Sequence, residues 1–120
     1  MSMPMSATKL GEIAKELVAE ELDVFVRKGA EYSGESNALS NFERLAERLG
    51  LHPMQVLQVY YTKHEDGIMT FIKTHKIHSN EDVLGRIIDA RNYMTILYAM
   101  ITSYRELPPE HPWHLPPFEG

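Results

Sequence analysis

Ser79–Tyr104, SNEDVLGRIIDARNYMTILYAMITSY, decides the fold of this chain. Ser79 stands three residues ahead of Asp82, a variant of the capping box in which side chains satisfy the backbone donors left open at a helix start. No proline follows until Pro108 and the one interior glycine is Gly85, so the stretch predicts a helix of about seven turns. At about 100° per residue, Val83, Ile87, Ala90, Met94, Leu97 and Ile101 form one apolar stripe. Ile88, Ile96 and Met100 lie well off it, which is the pattern of a helix surrounded by protein. Asp89, Arg91, Asn92 and Tyr93 nevertheless fall in its middle. A carboxylate in such a place must be paired, coordinated or protonated, because stripping its water is otherwise too costly. An apolar helix with a polar centre is the main functional clue.

At 120 residues the chain has the size of one domain. Its 43% apolar and 24% charged residues are ordinary for a soluble globular protein. A formal net charge of −5 disfavours long-range attraction of nucleic acid or an anionic membrane, but leaves room for a local basic pocket. The absence of cysteine excludes disulfides, thiolate metal sites and cysteine nucleophiles. No apolar run is long enough to span a bilayer. MSMPMSATKL has neither the basic nor the apolar region of a secretory signal. A cytoplasmic protein is expected, with neither nucleic acid nor membrane as partner.

Residues 1–7 are expected to be mobile. From Thr8, a candidate N-cap, Leu10, Ile13, Leu17, Leu22 and Phe25 keep helical spacing, and Gly29 predicts the helix end. RKGAEYSGESNALSNF reads as a loop. Ser40 with Glu43 predicts a capping box opening a short helix that Gly50 closes. Pro53 suits the first position of the next helix, expected to reach about His75. Its apolar arc holds Leu57, Tyr60, Tyr61, Ile68, Phe71 and Ile72, with His64 near the centre and Gly67 beside it. Glycine costs about 1 kcal/mol against alanine inside a helix, so Gly67 points to a close approach. Beyond Tyr104, RELPPEHPWHLPPFEG carries five of the seven prolines and predicts an extended arm over 105–120. Trp113 and Phe118 are expected to lie against this subunit or a neighbour. The expectation is therefore an all-α bundle of about four helices over 8–104, followed by that arm.

His64 and Asp89 project from apolar positions near the middle of two long helices. If those helices are antiparallel neighbours, the two side chains meet and can move a proton or orient a ligand. Lys63, Asn92 and Tyr93 are close in sequence. The plainer reading is a satisfied core histidine and a structural ion pair of Asp89 with Arg86 or Arg91. For magnesium, Glu20 and Asp23 stand one helical step apart and Asp89 forms a near pair with Asn92. A solvated acidic face explains the same residues, so Glu20, Asp23 and Asp89 are weak metal candidates. Arg27, Lys28 and the glycines and serines up to Ser36 offer charge and donors to a phosphate, although the loop fits neither a Walker nor a dinucleotide fingerprint. His75, His78, His111 and His114 read as surface histidines, and no GxSxG elbow occurs.

Lys28-Gly-Ala-Glu31-Tyr32, Asn41-Phe42, Lys63-His64, Asn80-Glu81-Asp82 and Asp89-Ala-Arg-Asn92-Tyr93 occur in that order. The series resembles small all-α proteins of phages and prophages, the nucleotide modification associated helical domain family. It is more distantly similar to all-α nucleoside triphosphate pyrophosphatases. The resemblance covers about residues 26 to 102. It implies an oligomeric helical bundle that handles a nucleotide or a derivative, and it singles out Lys28, Glu31, Tyr32 and Asn41 beside Lys63, His64, Asp89, Asn92 and Tyr93. In the pyrophosphatases paired ExxE and ExxD motifs hold magnesium. The nearest equivalents here, Glu20-x-x-Asp23 and Asp89-x-x-Asn92, depart from that pattern in residue and separation.

The first expectation is a binder of a nucleotide-like small molecule. In it Lys28 and Lys63 reach phosphate, Tyr32 stacks on a base, and His64, Asp89 and Asn92 orient polar groups without a cofactor. The alternatives are a magnesium-dependent pyrophosphohydrolase using Glu20, Asp23 and Asp89, and a structural protein with no ligand. A homo-oligomer is expected because four unequal helices cover a central one poorly.

Overall fold

The computed structural model of the chain describes residues 4–32, 37–76 and 82–117, with the backbone alone over 29–32. It is all-α: α1 (Ala7–Tyr32), α2 (Ser40–Leu49), α3 (Pro53–Thr74) and α4 (Val83–Tyr104) pack together. No strand occurs among the described residues. Expectations for residues 1–3, Ser36, Ser79, the Asn80-Glu81 pair and Phe118 fall outside that range.

The starts of α1, α3 and α4 each have a side chain that accepts a backbone N–H. Ser6 Oγ accepts from the Lys9 N–H at 3.0 Å, so Ser6 rather than Thr8 caps α1. Gly29 does not stop that helix, which runs on to Tyr32; glycine's helical penalty of about 1 kcal/mol is small enough for the backbone to continue. The Ser40–Glu43 capping box does not form, and Leu39 takes the cap position without a side-chain bond. Glu43 is engaged elsewhere, accepting from Asn37 Nδ2 at 2.7 Å and from the Tyr104 hydroxyl at 2.9 Å. Gly50 closes α2 in the left-handed region, φ 69°. Pro53 is the first residue of α3, behind a capping box of His52 and Gln55. Asp82 Oδ1 accepts from the Gly85 N–H at 2.7 Å and caps α4.

α3 and α4 form the most extensive helix pair, with α2 against α3 and α1 against α4. The core centres on Leu57, Met100 and Tyr104. Phe42 and Leu39 pack on it from the α2 side, and Trp113 and Leu115 from beyond α4. Leu115 donates its N–H to the Tyr104 carbonyl at 3.2 Å. His52 Nδ1 accepts from the Met54 N–H, which leaves the proton on Nε2 to donate to the Trp113 carbonyl at 3.1 Å. The segment after Tyr104 is thus pinned to the start of α3.

α4 departs from the expectation of a helix covered all round. Its buried residues are Ile88, Met100 and Tyr104. Of the apolar stripe, Val83, Ile87, Ala90, Leu97 and Ile101 are only half-buried, and Met94 is exposed. Within one chain, protein covers one side of α4 and leaves the other partly open. Among the described residues no helix is long and apolar enough to cross a membrane.

Candidate functional site

His64 and Asp89 come together where α1, α3 and α4 meet. His64 lies on the buried face of α3 with its ring 7% exposed, and its Nε2 is 3.9 Å from Asp89 Oδ2. That distance is too long for a hydrogen bond and short enough for a strong electrostatic influence. Asp89 Oδ1 accepts from Lys28 Nζ at 3.2 Å, across 61 residues of sequence. Lys28 remains about half exposed, so the pair opens to solvent on the α1 side.

A second cation enters from α4. Arg86 crosses the α3 backbone at Gly67, and its Nη1 donates to the Lys63 carbonyl at 3.2 Å. A Cβ at position 67 would sit 2.6 Å from Arg86 Cδ and Nε, closer than carbon atoms tolerate. Gly67 therefore makes the close approach read from the sequence, and what approaches is a guanidinium. Lys63 is exposed one residue before His64.

These charges act on His64 together. Burial is the main cause that lowers its pKa below the ordinary histidine value, Asp89 opposes this, and Arg86, Lys63 and Lys28 reinforce it. At neutral pH the ring is neutral. Asp89, Arg86, Lys63 and Lys28 thus together set the field at a buried imidazole.

Aromatic rings border the charged cluster. Tyr93 lies 5.5 Å from His64 by ring centroids and stacks parallel to Tyr60 at 6.4 Å, with 5° between the planes. Phe42 meets both tyrosines edge-on. Tyr60 is 43% exposed, so this pair presents aromatic surface to solvent beside the cations.

The remaining expected residues are distributed as follows. Asn92 is half-buried on α4, and Asn41 is half-buried on α2, accepting from Arg44 at 3.4 Å. The side chains of Glu31 and Tyr32 lie outside the described residues. Glu20 and Asp23 are exposed on α1. Among the described residues no three His, Asp or Glu side chains gather to hold a metal ion. Arg86, Tyr60 and Glu21, which forms a bidentate pair with Arg91, were not read as site residues from the sequence. Tyr60 carried a usable signal, four residues before His64 and so on the same helix face.

No protein-family model, curated protein or solved structure matches this chain.

Proposed function

We propose that the chain binds an anionic, nucleotide-like small molecule at the junction of α1, α3 and α4. The observation that carries the reading is that Lys28, Lys63 and Arg86, one from each helix, all bear on the buried ring of His64, with Lys28 paired to Asp89 and Arg86 donating to the Lys63 carbonyl. Phosphate oxygens satisfy such a cluster: guanidinium groups grip them in a planar fork, and ammonium groups act as mobile point charges. The exposed edge of the Tyr60–Tyr93 stack supplies a flat apolar surface for a base. Asp89 and Asn92 then orient polar groups between phosphate and base. This reading agrees with the phage and prophage proteins whose motifs the sequence resembles.

Binding is put ahead of magnesium-dependent hydrolysis because, among the described residues, Glu20 and Asp23 are exposed on α1 and no carboxylates gather with Asp89. The test is calorimetry with nucleoside mono-, di- and triphosphates, cyclic nucleotides and inorganic phosphate, with product analysis in the presence of magnesium. Saturable heat from at least one nucleotide, lost in Arg86→Gln and in Lys63→Ala, supports the proposal. No binding across the panel at millimolar concentration sinks it, and release of pyrophosphate would replace binding by catalysis.

A further inference from the structure

The first third of α1 is a helix with nothing beneath it. Every residue from Ala7 to Glu16 is exposed, Leu10 at 58% and Ile13 at 36%. A ten-residue stretch of helix is marginal in water without a surface to pack on. Leu10, Ile13, Ala14 and Leu17 nevertheless fall at i, i+3, i+4 and i+7, the spacing by which an amphipathic helix seats in an apolar groove. Between them α3 and α4 leave a groove of about 340 Å³, lined by apolar Met54, Tyr61, Met94 and Leu97 together with polar Gln58, Thr62 and Glu65. Apolar exposure continues around it at Met69, Ile72 and Tyr98.

The groove's own chain does not supply the missing helix. α1 is a continuous 26-residue helix, tied to α4 through Glu21–Arg91 and Lys28–Asp89, and a continuous helix cannot fold back from that anchor. The surface area points to another copy. The chain exposes 9231 Å², against about 6,600 Å² for a compact monomer of its mass. Its radius of gyration is 17.4 Å, against about 13.6 Å for a compact chain of this length. Half of that area excess is more than the roughly 800 Å² that each partner contributes to a stable interface. We infer that residues 7–17 of one copy lie in the α3–α4 groove of a second copy of this chain, with Ile13 near Met94. Neither Ile13 nor Met94 is among the residues of the proposed anion site, so the inference does not rest on that reading.

Native mass spectrometry and light scattering of the full chain test it, together with cross-linking that the cysteine-free sequence makes unambiguous. The expected wild-type species is a multiple of the 13.8 kDa chain. Ile13→Glu and Met94→Glu should each return it to the single-chain mass. Protein carrying Ile13→Cys, mixed with protein carrying Met94→Cys, should form the mixed disulfide on oxidation. A mixture with Val59→Cys, exposed at 67% and on the opposite side of α3 from Tyr61, should not. A monomeric wild type overturns the proposal. So does an assembly that survives Ile13→Glu, or one in which Val59→Cys cross-links as readily as Met94→Cys. If a glutamate variant loses its helical circular dichroism, the cysteine mixtures decide alone.

Discussion

Two regions of the helix bundle are held together by different forces. At the end where α4 stops, Leu57, Met100 and Tyr104 are sealed by α2 and by Trp113 and Leu115, and the Tyr104 hydroxyl is bonded to Glu43. Around the middle of α4, α1 is attached by ion pairs at half-exposed Lys28 and Arg91. Apolar burial without directional demand gives the first region its stability. Half-solvated charge pairs contribute little stability but can be re-formed around a ligand. The contrast teaches that the bundle separates a region that fixes the fold from a region that remains available for chemistry.

The largest effect should come from Met100→Ala. With no exposure to relieve the cavity, it should destabilise by about 2–5 kcal/mol in urea unfolding. A cost as small as that of a surface change would break the contrast. Tyr104→Phe comes next. Burial and the bond to Glu43 hold that phenol far above its ordinary pKa, so it is a permanent donor to a carboxylate. Its loss should cost about 1.5–3 kcal/mol with nucleotide affinity unchanged.

A smaller change should appear with pH. Because His64 titrates below its ordinary value in the fold, the unfolded chain takes up its proton first. The contribution is intact above about pH 6.5 and declines as pH falls from there through the lower folded value. Melting temperature should drop less over that window in His64→Gln than in the wild type. A bound phosphate reverses the preference by favouring the imidazolium, so affinity should rise as the pH is lowered.

Gly67→Ala should change stability by less than about 1 kcal/mol, since helix propensity gained offsets displacement of the Arg86 side chain. Anion affinity should fall about tenfold, the equivalent of one charge-assisted hydrogen bond. The smallest stability effect belongs to Lys28→Ala, below about 1 kcal/mol at a half-exposed pair, with ligand affinity as the sensitive readout. If Lys28→Ala unfolds the protein while Met100→Ala does not, the assignment of the two regions is inverted.

Much of this organisation was legible in the residues. Gly50 and Pro53 mark helix boundaries because their backbone preferences are local, whereas Asp82, read as the partner of Ser79 in a capping box, is itself the cap of α4. His64 and Asp89 stood out because each places a polar group at an apolar position, a conflict visible within one helix. Gly67 announced a close approach without naming the visitor. Arg86 could not be assigned to the site, since its role depends on how α3 and α4 are set along one another, whereas Tyr60 shares a helix face with His64 and was legible in principle. Glu43 was misread for a related reason. Its local partner was Ser40, but Tyr104, 61 residues away, offers a buried donor that a local cap cannot match.

The sequence by itself determined where helices form and which polar groups had to find partners, because capping, helical spacing and desolvation act within a few residues. Only the tertiary structure decided which side of α4 is covered and which cations surround His64. It also decided that the start of α1 stands clear of its own chain. Those outcomes depend on the relative placement of helices, which is set by packing summed over many distant contacts rather than by any one stretch of chain.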